Sequence, residues 1–173
     1  MSKPQQGRLW IWLWLSLTWI VLDQITKLWV QARLEFGAVV EVTSFFNLVH
    51  VLNPGAAFSF LANQEGWQRH FLSVVAVVAS IVIVVLMRGS RGKPFALFCL
   101  SSILGGAIGN LIDRVMYGAV VDFLDFYWQT VHWPAFNVAD VAISLGAVGL
   151  IVNELFFTRT DSPTSKAAPR KKA

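Results

Sequence analysis

The chain has 173 residues, of which 55% are hydrophobic and only 14% charged, with a formal net charge of +4. So few charges cannot cover the surface of a soluble domain of this length, and the apolar residues fall in long runs. The single cysteine, Cys99, leaves no intramolecular disulfide and no cysteine metal cluster to consider, and it reads as a small apolar packing residue.

Leu9 to Leu22 is uncharged, and the pattern continues past Asp23 and Lys27 to Trp29. This predicts a first membrane span over 9–29. It does not read as a cleaved signal peptide, because it carries two charged residues and no small-x-small site follows. The segment 30–68 contains VVEVTSFFNLVHVLN, rich in β-branched and aromatic residues, and ends in the turn signature Asn53-Pro54-Gly55. A small sheet is expected there. Phe71 to Met87 has no charge over 17 residues and Pro94 to Ile112 none over 19. Each run is long enough to cross about 30 Å of hydrocarbon as a helix, and they predict spans over 69–87 and 95–114. After a second outer segment, 115–137, a fourth span is predicted over 138–157.

The expected fold is therefore membrane all-α: a four-transmembrane-helix bundle with a small extracytoplasmic β-sheet and a short outer helix. It forms one domain over 1–157, followed by a disordered basic tail over 158–173. Ten of the fourteen Lys and Arg residues lie on the side that holds both ends of the chain and the 88–94 hairpin, so that side is expected to be cytoplasmic. Basicity then reflects topology and lipid headgroups, and no nucleic-acid partner is expected. Eight of the ten carboxylates fall at or beyond the outer ends of the spans, which is where chemistry is expected.

Ionisable and amide groups at membrane depth are costly and are candidates for function. Asp23 and Lys27, four apart on the first span, are either a self-neutralising pair or part of a site. Asn110 needs a partner, whereas Arg114, beside Asp113, either snorkels to headgroups or holds a carbonyl or an acid. Gly105 and Gly109 form a Gly-x-x-x-Gly helix-packing pattern. Asn137 and Asp140 fit a variant capping box, with Pro134 just upstream. A short apolar loop can bring Asp122 beside Asp140. Two such acids share one proton and titrate together, so that the protonated one polarises a carbonyl while the ionised one activates water. Asp140, near a helix N-terminus, is expected to be the ionised base. If VVDFLDF is extended, Asp122 and Asp125 point to opposite faces and only one meets Asp140; if it is helical, they share a face. His50, His70 and His132 are scattered and suggest no metal ligand set.

Four runs, Asn53-Pro54-Gly55-Ala56-Ala57-Phe58, Gly105 to Arg114 (GGAIGNLIDR), Val120-Val121-Asp122-Phe123 and Phe136-Asn137-Val138-Ala139-Asp140, closely resemble the lipoprotein signal peptidase (signal peptidase II) family over about residues 8–157. The resemblance implies a bacterial inner-membrane aspartic endopeptidase with both termini cytoplasmic and its active site toward the extracytoplasmic side. Such an enzyme needs no cofactor or metal. It cuts prolipoproteins before a diacylglyceryl-modified cysteine, meets its substrate among membrane lipids and is inhibited by globomycin-type depsipeptides. By motif, Asp122 and Asp140 are the catalytic pair, with Asp23, Lys27, Asn53, Gly55, Asn110, Arg114 and Asn137 in supporting positions. The bland rival is a proton-coupled carrier or membrane chaperone, disfavoured because the acids cluster at one face and do not span both leaflets.

Overall fold

A computed structural model describes residues 9–55 and 66–156. The elements in chain order are α1 (Leu9–Arg33), β1 (Val39–Thr43), β2 (Phe46–Asn53), α2 (Trp67–Gly89), α3 (Pro94–Tyr117), β3 (Val120–Trp128), β4 (Val131–His132) and α4 (Val138–Phe156). All four helices are long and apolar enough to cross a membrane. They lie where the hydropathy runs predict, and α1 and α3 extend three or four residues further at the ends next to the sheet. The predicted basic tail over 158–173 and the stretch 56–65 lie outside the described residues. No short outer helix occurs among the described residues, where the outer segments are strands and turns.

Helix α3 is the axis of the bundle. Its membrane window is 67% buried, against 11% for α1 and α2 and 17% for α4. Small residues make this central position possible, because helices in lipid associate by close backbone approach. A Cβ on Gly105 would lie 2.7 Å from the Ser16 carbonyl oxygen on α1, and one on Gly106 would strike the Ala139 carbonyl oxygen on α4. Neighbouring glycines thus admit different helices. Two hydrogen bonds add to the α1–α3 seam: Ser16 Oγ donates to the Ser101 carbonyl (2.9 Å) and Trp19 Nε1 donates to Ser102 Oγ (3.1 Å). Trp19 is therefore a packing residue with its N–H satisfied. An apolar cluster of Ile83, Met87, Leu97, Leu100 and Leu104 fills the other end of the bundle.

The strands form one antiparallel sheet in the order β1-β2-β3-β4. β3 is extended throughout, paired with β2 from Phe46↔Phe126 to Asn53↔Val120, with a bulge on β2 between Leu48 and Val51. α3 ends at Gly118, whose φ of 79° is the left-handed cap that turns the chain into β3 within two residues. His50 anchors β2 to the end of α1: its Nδ1 is 2.9 Å from the Leu34 carbonyl. A carbonyl only accepts, so Nδ1 carries the proton.

Candidate active site

The end of the bundle next to the sheet gathers Asp23, Lys27, Asn53, Gly55, Asn110, Arg114, Asp122, Asn137 and Asp140. Three of them arrive from the sheet-side halves of α1 and α3. Asp23, Lys27 and Asn110 are buried, and Lys27 Nζ is 2.8 Å from Asp23 Oδ2 and 3.0 Å from Asn110 Oδ1. The i,i+4 pair expected on α1 is present, but it is not an interfacial pair. It lies inside the protein and includes a third acid, Asp113, 2.9 Å from Lys27.

Asp122 leaves β3 toward the bundle. Its Oδ1 accepts from Asn137 Nδ2 at 2.7 Å and its Oδ2 from Asn53 Nδ2 at 3.1 Å. Asp140 lies in the first turn of α4. Its Oδ1 accepts from Asn110 Nδ2 at 2.8 Å and its Oδ2 from the Asn137 backbone N–H at 3.2 Å. Asn137 Oδ1 in turn accepts from the Asp140 N–H at 3.0 Å, which completes the reciprocal capping box. Asn137 therefore touches both acids, one through its side chain and the other through its backbone. Its Nδ2 is also 3.2 Å from Asn110 Oδ1 and 3.3 Å from the Val121 carbonyl. An amide has two protons to give, and the contact with Asp122 is the shortest of the three.

Arg114 does not snorkel outward. Its Nη2 donates to the Gly55 carbonyl at 2.9 Å and its Nη1 to the Asn110 carbonyl at 3.3 Å. The Gly55 N–H donates to Asn53 Oδ1 at 3.0 Å, an Asx turn that points the Asn53 amide at Asp122. The guanidinium thus holds the turn from which one partner of Asp122 projects.

Asp122, Asp140, Asn53, Asn110 and Arg114 all line one cavity of about 800 Å³ between α2, α3, α4 and the sheet. Its walls toward the bundle are apolar, with Leu72 and Val75 from α2 and Val141, Leu145 and Val148 from α4. Burial lifts the Asp122 carboxyl from its ordinary 3.8 to about 7, and the charge of Asp140 pushes the same way, against the hydrogen bonds from Asn53 and Asn137. Among the described residues no group of His, Cys, Asp and Glu is arranged to hold a metal ion.

Asp125 faces away from the cavity, as extended backbone requires. It is not solvent-facing, however. It is buried, accepts from Asn47 Nδ2 at 2.9 Å and meets His132 Nδ1 at 3.0 Å. Gln24 was not singled out in the sequence, and Asp113, noted there beside Arg114, was not placed in the supporting set. Gln24 Nε2 donates to Asp113 Oδ1 at 2.9 Å and is 3.2 Å from Asp23 Oδ2. The available signal was depth: Asp113 is three residues from Asn110 on α3, on the same helix face.

These features define a multi-pass membrane protein with two neighbouring acids at one end of its bundle, open to an apolar cavity. A family model for signal peptidase (SPase) II matches residues 15–156. A lipoprotein signal peptidase of Paraburkholderia phytofirmans is 52% identical over 154 residues, covering 89% of this chain and 90% of the relative. The enzyme of that name from Tolumonas auensis is 55% identical over 144 residues, covering 82% and 88%. One from Cellvibrio japonicus is 46% identical over 170 residues, covering 95% and 99%. A solved bacterial membrane enzyme superposes with a TM-score of 0.82 at 25% identity, covering 97% of this chain and all of that one. The chain belongs to the signal peptidase II family and is an aspartic endopeptidase.

Proposed function

We propose that this chain removes signal peptides from prolipoproteins, cutting on the N-terminal side of a diacylglyceryl-modified cysteine, with Asp122 and Asp140 as its catalytic pair. The observation that carries this reading is that both acids line one cavity and are both held by Asn137. The two roles follow from their surroundings. Asp122, whose carboxyl is pushed up to about 7, retains a protonated fraction at neutral pH that an ordinary carboxyl lacks, and it donates that proton to the scissile carbonyl oxygen. Asp140, at the N-terminus of α4 and accepting from Asn110 and the Asn137 N–H, is the ionised partner that takes a proton from water. Water oxygen bonds to the carbonyl carbon. Collapse of the tetrahedral species then breaks the C–N bond: the proton held by Asp140 passes to the leaving amine, and a hydroxyl proton of the tetrahedral species returns to Asp122 as the carbonyl re-forms.

The sheet end of the bundle is the extracytoplasmic side in this reading, which the Lys and Arg distribution supports, and both termini are cytoplasmic in a bacterial inner membrane. A signal helix ends at that boundary, and each acyl methylene pulled from lipid costs about 0.8 kcal/mol. The acids must therefore meet the substrate at the bilayer. The apolar α2 and α4 walls let the lipidated cysteine stay among hydrocarbon, and globomycin-type inhibitors compete for the same space. The test is cleavage of a diacylglyceryl-modified prolipoprotein by purified protein. Asp122→Asn and Asp140→Asn each lower kcat by about 10²–10⁴-fold, and globomycin blocks the wild type. Undiminished cleavage by either variant removes the pair from the mechanism.

A further inference from the structure

Lys27, Asp23 and Asp113 form a closed ion cluster that the chemistry above does not use. All three are essentially inaccessible, with side-chain exposures of 2%, 0% and 1%. A buried cluster of this kind is tolerable only when every proton and lone pair finds a partner. Here the three protons of the Lys27 ammonium go to Asp23 Oδ2, Asp113 Oδ2 and Asn110 Oδ1. Gln24 closes Asp113 Oδ1 and approaches Asp23 Oδ2. What remains of each acid points at backbone. Asp113 Oδ2 accepts the Val121 N–H at 3.0 Å, and Asp23 Oδ1 accepts the Ala139 N–H at 2.9 Å.

Val121 immediately precedes Asp122, and Ala139 immediately precedes Asp140. The two acids of one cluster thus grip the peptide next to each of the two acids of the cavity. The third arm of Lys27 reaches Asn110, whose Nδ2 donates to Asp140. β3 and the start of α4 already meet at Asn137, and a lysine on α1 adds a second tie through the two acids it holds. Gly109 makes the space: a Cβ there would lie 2.7 Å from Asp23 Oδ2.

We infer that the Asp23–Lys27–Asp113 cluster is a positioning device that sets the separation and orientation of Asp122 and Asp140 by holding the backbone amides of Val121 and Ala139. This rests on the reading of Asp122 and Asp140 as the catalytic pair. None of the three touches substrate. They act through the peptide units they hold, and because the cluster's hydrogen bonds close on themselves, it stays rigid while the cavity fills and empties.

The experiment compares wild type with Asp113→Asn and Gly109→Ala in detergent or nanodiscs, using a lipidated prolipoprotein and counting only folded enzyme. Asp113→Asn removes one of the two charges that hold Lys27. Gly109→Ala pushes Asp23 aside without changing any charge. The expected result for both is a kcat reduced about 10–100-fold, as for a displacement of roughly 1 Å, with KM within about threefold. The alkaline limb of the pH–rate profile should move downward by about half a unit or more, because the two acids separate and Asp140 no longer raises Asp122 as strongly. A purely structural cluster lowers thermal stability but leaves the profile of the folded fraction superimposable on wild type, and that result overturns the inference. Hydrogen exchange of the unmodified enzyme provides a check that no folding defect can obscure. The Val121 and Ala139 amides belong to one slow class, and fast exchange of either one overturns the inference. Full cleavage by Asp122→Asn would instead refute the catalytic pair itself, a distinguishable failure.

Discussion

β3 carries two acids three residues apart, and its two faces put them to opposite uses. Asp122 faces a cavity and a second carboxylate. Asp125 faces an amide and an imidazole, Asn47 and His132, that can satisfy it completely. Both are buried, so burial alone does not mark a functional acid. The difference is in the partners. Asp125 meets an amide donor and an imidazole, whereas Asp122 sits beside a like charge that raises its pKa. A carboxyl raised by burial and by a second acid in a cavity is a candidate for function, and this is what supports the proposed pair.

The largest expected effect tests that contrast directly. Asp122→Asn is expected to lower prolipoprotein cleavage by about 10²–10⁴-fold while Asp125→Asn keeps it within about threefold of wild type, since in the proposed reading only the first removes a proton carrier. Equal loss in both variants would show that the faces are not functionally distinct. Asn137→Ala comes next. It removes the side-chain donor to Asp122 and the capping acceptor of α4 together. A fall of about 10²-fold in kcat is expected, with a stability cost of about 1–2 kcal/mol from the lost cap, measured by activity and thermal denaturation of the same preparation.

The pH dependence of stability separates the faces in another way. The folded-state pKa of Asp122 is raised, from 3.8 to about 7. Its contribution to stability is therefore fully present below the unfolded value and is lost as pH rises through about 7. Asp122→Asn has no such term. Its Tm relative to wild type should climb between pH 4 and pH 8, and a flat difference would mean that the carboxyl titrates normally. Asp140→Asn sharpens the same point: without the neighbouring charge, Asp122 titrates lower, as carboxyl infrared bands would report.

Much of this contrast is legible in the sequence. The four spans follow from uncharged runs such as Phe71–Met87, because membrane thickness fixes their length. The capping box at Asn137 and Asp140 follows from spacing alone. The separation of Asp122 from Asp125 required only the knowledge that VVDFLDF is extended, and period-two alternation supplied the rest. Two features were not legible. Asp125 is enclosed by Asn47, 78 positions away in the chain, and nothing local signals that pairing. Asp113 belongs with Lys27 because α1 and α3 approach closely at Gly105 and Gly109. A Gly-x-x-x-Gly pattern predicts such an approach but not which helix makes it. Arg114 illustrates the same limit: its position at a helix end suits a headgroup, and the Gly55 carbonyl that draws it inward comes from a turn far away in the chain.

The smallest expected effect lies at His132. Its side chain is 53% exposed, so its contact with Asp125 is a solvent-screened pair worth at most about 1 kcal/mol. Its ring also stacks on Tyr127, with centroids 5.1 Å apart and planes 17° from parallel. His132→Phe keeps that stack and deletes only the polar contact. Asn47 still donates to Asp125, so the acid is not left bare. Stability should change by less than about 1 kcal/mol and cleavage by less than about twofold. This is also the sharpest place to find the contrast wrong. His132 is followed by Trp133, Pro134, Ala135 and Phe136, which wall the cavity, and the backbone N–H groups of Trp133 and Phe136 bond back to Phe126 and Leu124 on β3. If those backbone bonds hold the wall, the His132 side chain is dispensable. A large drop in kcat/KM in His132→Phe would mean that the Asp125 face sets the shape of the Asp122 face, and that the two sides of β3 act as one unit.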